Sequence, residues 1–227
     1  MRTQALAAVL LTFVSLAHAQ AQLPTTSGAV TWVANPPSDL STNDWESNTA
    51  IRAFVERLAF VLPSNITVDV TTPGTSPTAT DLDLSPGSIS AGTLVNSFTL
   101  HFDVVGTRPN KKALQALGSI TFDQPILGIM VLSQSENDTN SMLGRAGVTY
   151  SNGSRHGLEL NPGGTGSDFI TCSDDLRTVF VDLHNAGYAD DIRIITAATA
   201  VPEPGTFTLI MAGGILAAGV LWRRRRF

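Results

Sequence analysis

The clearest pattern along the chain is alternation. Phe98, Leu100, Phe102 and Val104 fall on one side of an extended segment, and Ser97, Thr99, His101 and Asp103 fall on the other, which is the period-two signature of a half-buried strand. Apolar runs at residues 29–33, 66–70, 120–122, 127–132, 158–160, 178–183 and 192–196 predict further strands. Turn chemistry separates them at Pro73-Gly74, Pro86-Gly87, Asn152-Gly153, Pro162-Gly163-Gly164 and Ala186-Gly187. Many short strands punctuated by Gly and Pro point to a mostly β fold, an antiparallel β-sandwich or jelly-roll-like single domain. One segment departs from this. Ile51, Phe54, Val55, Leu58, Ala59 and Leu62 recur at helical spacing, and Asn43 with Glu46 has the form of a capping box upstream of a stop at Pro63. Residues 47–62 therefore stay open between helix and strand.

The two ends follow another pattern. Residues 1–19 carry a basic Arg2, an apolar run over 5–17 and a small-residue exit at Ala17-His18-Ala19, the three parts of a cleavable signal helix cut by signal peptidase. Residues 207–222 are apolar or small at nearly every position, and Arg223, Arg224, Arg225 and Arg226 follow at once. This predicts a short transmembrane helix stopped by charge. It rises only about 24 Å against a hydrocarbon core of about 30 Å, so its flanks must snorkel or the bilayer must thin. The positive-inside rule leaves the arginines cytoplasmic in the inner membrane and the body outside. Just before the helix, Pro202 and Pro204 hold Glu203 in extended backbone poor in donors, as suits a segment that must lie open to a processing enzyme. The predicted organisation is a signal peptide over 1–19, an exported β-rich domain over 22–200 and a sorting signal over 201–227.

The order Pro202-Glu203-Pro204, short hydrophobic helix, arginine cluster resembles the PEP-CTERM sorting signal. That resemblance implies recognition by an exosortase, a membrane cysteine protease-transpeptidase of Gram-negative bacteria that make exopolysaccharide, and delivery to the cell surface or extracellular matrix. The body is similar, more loosely, to exported β domains that carry this tail. The similar stretches are Val95-Asn96-Ser97-Phe98, His101-Phe102-Asp103, Gly118-Ser119-Ile120-Thr121-Phe122-Asp123, Ile126-Leu127-Gly128, Gly157-Leu158-Glu159-Leu160 and Asp191-Ile192-Arg193-Ile194-Ile195-Thr196.

Charge narrows the partners. The formal net charge of −5 hides a more acidic body: setting aside Arg2, the four terminal arginines and Glu203 leaves 9 basic against 18 acidic residues, a net of −9. Nucleic acid is thereby excluded as a partner, because it rewards basic patches. Cys172 is the only cysteine, so no intramolecular disulfide forms, and its place in Phe169-Ile170-Thr171-Cys172 reads as a buried small hydrophobe.

Candidate chemistry is sparse. Residues 163–171 fit one copy of the nine-residue calcium β-helix repeat, with Asp168 as its carboxylate, although a lone copy also reads as a glycine turn entering a strand. Asp81 and Asp83 lie two apart on one expected strand face, and Asp190 adjoins Asp191 at a strand start. These four aspartates, Asp81, Asp83, Asp168 and Asp190, are the candidate calcium ligands, with solvated turn carboxylates as the ordinary alternative for Asp81, Asp83 and Asp190. No other cofactor is expected. His101 and Asp103 share a face, which exposed polar alternation also explains. There is no nucleophile elbow, His-Glu-x-x-His or signature carboxylate pair, so no catalytic residue is assigned. The expectation is a non-enzymatic envelope or matrix protein associated with exopolysaccharide or biofilm. The alternative is an exported carbohydrate-active enzyme on a β-sandwich scaffold, which needs two carboxylates in one cleft.

Overall fold

The computed structural model describes residues 23–41, 43–78, 81–106, 113–161 and 166–199. Two five-stranded sheets make up most of it. The first has the order β1 (Thr25–Gly28), β8 (Leu114–Thr121), β11 (Thr178–Asn185), β10 (Phe169–Cys172) and β5 (Gly74–Ser76). The second has the order β2 (Val30–Trp32), β3 (Ile51–Val61), β7 (Leu94–Phe102), β12 (Asp190–Ala197) and β9 (Ile126–Met130). A small pair, β4 (Ile66–Val68) with β6 (Gly87–Ile89), and one helix, α1 (Ser133–Leu143), complete the described elements. Pairing is antiparallel except between β2 and β3. The chain changes sheets at Gly28, where φ is +64° and an added Cβ would stand 2.5 Å from the Leu117 carbonyl oxygen, so only glycine fits the crossing.

The sheets face one another as a β-sandwich. Phe98, Leu100 and Phe102 of β7 with Ile192 and Ile194 of β12 pack in one core with Ile120, Ile170, Val179, Val181 and Leu183 of the opposite sheet. The outer face of the first sheet is bordered by polar cross-strand pairs, Gln115 Nε2 to Asp182 Oδ1 at 2.8 Å and the Thr121 and Thr178 hydroxyls at 3.0 Å. On β11 the expected alternation is clean.

The second sheet departs from it. Ser97, Thr99 and His101, expected on a solvated face, are 0%, 3% and 1% exposed, and Asp103 is buried as well. Both faces of β7 are covered because α1 and the segment around Trp45 lie over the outer one. The open question at residues 47–62 resolves as strand β3. Ile51, Ala53 and Val55 join the central core while Phe54 and Glu56 face outward under cover, and register shifts between Val55 and Arg57 and between Arg57 and Phe60 break the alternation into an apparently helical spacing. Asn43 and Glu46 cap no helix. The Asn43 amide donates to Asp103 Oδ2 at 2.6 Å, and Glu46 Oε1 accepts from the Gly106 amide at 2.6 Å.

The helix that does form is α1, where the sequence shows no apolar period. Its covered side chains are Glu136, Thr139 and Leu143. Residues 158–160 form no strand. Among the described residues no helix is long and apolar enough to cross a membrane. The expected signal helix with Ala17 and Ala19, and the expected tail with Pro202, Glu203, Pro204, residues 207–222 and Arg223 to Arg226, lie outside the described residues.

Candidate functional site

The start of α1 organises one end of the sandwich. Asp69, just after β4, accepts the amides of Val131 and Leu132 on Oδ2 at 2.8 and 2.9 Å and the Ser135 hydroxyl on Oδ1 at 2.6 Å, which sets a carboxylate at the positive end of the helix. Ser133 Oγ in turn accepts the amides of His156 and Gly157 at 3.2 and 2.8 Å. Gly157 leaves no room for a side chain there: a Cβ would stand 2.4 Å from the Ser133 nitrogen and 2.6 Å from the Val131 oxygen. The loop over residues 151–161 is thereby pinned against the helix.

Between loop and helix runs an open cleft of about 730 Å³. Gln134, Asn137, Asn152, Arg155, Glu159 and Tyr188 supply its polar lining. The Arg155 guanidinium lies 5.3 Å over the Tyr188 ring and donates to its hydroxyl at 3.1 Å, leaving the ring about half exposed. Asn137 Nδ2 donates to the Gly153 carbonyl at 3.1 Å, and its Oδ1 lies 3.0 Å from His156 Nε2. Among the described residues, Glu159 is the one acidic side chain lining the cleft.

Beneath the helix lies a buried polar cluster. Arg193 on β12 grips Glu56 on β3 with two bonds, Nε to Oε2 at 2.8 Å and Nη2 to Oε1 at 2.7 Å, and reaches α1 through the Glu136 carbonyl, Thr139 Oγ1 and Asn140 Oδ1. His156 Nδ1 stands 2.9 Å from Glu136 Oε2 and 3.5 Å from Asp191 Oδ2, and His101 Nδ1 is 2.7 Å from Asp191 Oδ1. Burial alone would lower the His156 pKa, but hydrogen bonding to Asp191 and Glu136 outweighs it and raises the imidazole to about 9. Burial pushes Glu136 up, whereas at Asp191 burial is outweighed by His101 and His156 and the carboxyl is held below its usual range. Glu136, His156 and Asp191 also have the right atoms for a metal, and His156 Nδ1 stands between the two carboxyl groups. The remaining void is about 10 Å³, room for no more than a water.

A second acidic group sits on the other side of β12. Carboxylate oxygens of Glu159, Asp168 and Asp190 all lie within 4.8 Å of one another. Asp168 and Asp190 are completely buried, which overturns the reading of Asp190 as a solvated turn carboxylate, while Glu159 is exposed at the cleft. Asp168 is fixed by the backbone: Glu159 N–H donates to Oδ2 at 2.8 Å and His184 N–H to Oδ1 at 2.7 Å. Burial still raises its pKa to about 7 against those amides. Burial, then the charges of Asp168 and Glu159, push Asp190 well above the carboxylate range.

Of the four candidate calcium ligands, the fold brings together Asp168 and Asp190. Asp81 and Asp83 are exposed on irregular chain between β5 and β6, not on a strand face, and lie outside this group. Residues 163–165 of the glycine-rich repeat lie outside the described residues. His101 and Asp103 are buried rather than solvated and do not pair. His101 bonds Asp191 and stacks on Trp45, with ring centroids 5.5 Å apart. Cys172 is buried, and burial raises its thiol to about 11. Glu159, Glu136, His156, Arg155 and Tyr188 carried no sequence signal of a shared site. The helical spacing of Glu136, Thr139, Asn140 and Leu143 was the one available clue, and it is a polar one.

No curated protein and no solved structure matches the chain. A family model does, the PEP-CTERM protein-sorting motif, over residues 200–226. Residues 200–226 are thus a PEP-CTERM sorting motif, the tag of an exported, membrane-anchored precursor that an exosortase processes for the cell surface.

Proposed function

We propose that the sorted body is a non-enzymatic envelope or matrix protein that holds extracellular polysaccharide in the cleft beside α1. On this reading the arginines stay cytoplasmic and the motif lies at the outer side of the inner membrane, so that cleavage near Pro202-Glu203-Pro204 releases the body to the surface or matrix. The observation that carries the binding reading is the makeup of the cleft. A half-exposed ring, Tyr188, is held by Arg155 beside the planar amides of Gln134, Asn137 and Asn152. A sugar ring offers apolar C–H faces to such an aromatic and hydroxyls to such amides. A body near −9 repels polyanions, so the favoured ligand is a neutral or weakly charged exopolysaccharide.

Glu159 speaks against hydrolysis, because two-carboxylate glycoside cleavage needs a second acid open to the same substrate, and Asp168 and Asp190 are sealed behind it. Incubating the full chain in detergent with purified bacterial exopolysaccharides tests the reading. Co-sedimentation with polymer of unchanged length supports it. Release of new reducing ends makes the protein a carbohydrate-active enzyme instead.

A further inference from the structure

We propose that Glu159, Asp168 and Asp190 form a site for one calcium ion at the edge of the cleft. Oxygens from the three carboxylates lie within 4.8 Å of one another. Oxygens that ligate a single calcium at 2.3–2.6 Å stand at most about 5 Å apart, so this spacing is one that a shared ion spans. The donors are oxygen alone, with no imidazole or thiol among them, which selects a hard cation over zinc or copper.

Acidic clusters are common without a metal, and Asp190 is what sets this one apart. It is completely buried. Its Oδ2 accepts from Asn185 Nδ2 at 3.1 Å, while Oδ1 has no hydrogen-bond partner among the described residues. An unpaired oxygen on a buried carboxylate is costly, and a cation seated among the three groups removes that cost. Arg155 is near enough to act on the charge of Glu159. Among the described residues, however, no ion pair joins any of the three carboxylates to a basic side chain. Their charge is left for an ion or for shared protons to neutralise.

The site is also built before any ion arrives. Asp168 immediately precedes β10 and is oriented by two backbone amides. Asp190 opens β12 and is held by Asn185, which also bonds the Phe102 and Tyr188 carbonyls and accepts the Gly187 amide at 2.8 Å. Glu159 lines the open cleft and gives the ion a path from water. The assignment rests on these contacts and stands whether or not a saccharide occupies the cleft.

Calcium titration of the full chain in detergent, stripped beforehand with chelator, tests it, with Glu159→Gln as the deciding variant because that side chain is exposed and its amide does not threaten the fold. The expected result is one calcium per chain, bound in the range of extracellular modules, about 10⁻⁴ to 10⁻³ M. A hundredfold excess over the dissociation constant raises the melting temperature by about 5 to 10 °C. Glu159→Gln weakens binding at least tenfold, and Asp190→Asn does the same if it folds, whereas Asp81→Asn with Asp83→Asn leaves binding intact. No binding to the parent chain at 10-fold above that range, or binding that Glu159→Gln leaves unchanged, overturns the assignment and leaves the carboxylates sharing protons.

Discussion

Asp190 and Asp191 are neighbours on β12 yet face opposite sides of the same sheet. Asp190 shares the inward face with Ile192 and Ile194 and meets Asp168 and Glu159; Asp191 shares the outward face with Arg193 and meets His101 at 2.7 Å and His156 at 3.5 Å. A strand turns successive side chains to opposite faces, so one dipeptide serves two separate polar clusters. A slip of one residue against β7 would bury Arg193 in the central core and turn Ile192 toward the polar cluster, so both clusters depend on the pairing of Asp191 with His101 and Arg193 with Thr99.

Arg193 is the member on which the outer cluster hangs. Arg193→Met removes its five hydrogen bonds to Glu56, Glu136, Thr139 and Asn140 and leaves the Glu56 carboxylate buried without its counter-ion. The expected loss is about 3–5 kcal/mol. Pairing it with Glu56→Leu removes the orphaned charge and recovers much of that loss. Urea unfolding of the parent and the two variants measures both steps.

His156 predicts the direction of pH dependence. Its folded pKa is raised above the unfolded value near 6.5, so its contribution is complete below about pH 6.5 and is lost as pH rises toward 9. Glu136, whose pKa is raised by burial, acts in the same direction. Asp168, raised to about 7, and Asp190 add to the decline, so the melting temperature should fall between pH 6.5 and 9, and His156→Gln should reduce the slope without abolishing it. A flat profile in the parent chain would refute the imidazolium assignment.

Gly157 couples the loop to the helix. Gly157→Ala places a methyl group against the Ser133 nitrogen and the Val131 oxygen, which are backbone atoms that cannot rotate away. We expect a loss of about 1–3 kcal/mol together with faster amide exchange over residues 151–161. Gly153→Ala, where a Cβ meets nothing closer than 3.9 Å, should change neither.

What the sequence disclosed follows from where polarity alternates and where it does not. β11 keeps one face wet, so its period of two is plain, and the order of proline, glutamate, helix and arginine in the tail is legible without any structure. α1 was invisible because most of its covered face is polar: Glu136 and Thr139 meet Glu56, Asp191 and Arg193, and only Met142 and Leu143 at its end join an apolar cluster with Ile66, Val68 and Met130. Hydrophobic periodicity cannot find a helix whose buried stripe is polar. Asp168 and Asp190 were chosen from the sequence, but their meeting depends on β10 of the first sheet and β12 of the second coming together across the sandwich, and their partner Glu159 lies on a segment expected to be strand.

The tail predicts a covalent outcome. In a host that makes an exosortase, mass spectrometry of the mature protein should recover no peptide containing Phe207. Pro202→Ala combined with Glu203→Ala should leave an uncut, membrane-bound form. Recovery of the Phe207 peptide from most parent molecules would reduce the tail to a plain anchor.

Tyr188 is the most direct probe of the cleft, since its ring is about half exposed and is engaged by the exposed Arg155. Calorimetric titration of the full chain with oligosaccharides from a neutral bacterial exopolysaccharide should show saturable binding that Tyr188→Ala weakens by about tenfold or more, with an unchanged melting temperature. Equal affinity in parent and variant would contradict the account and place any saccharide elsewhere on the body.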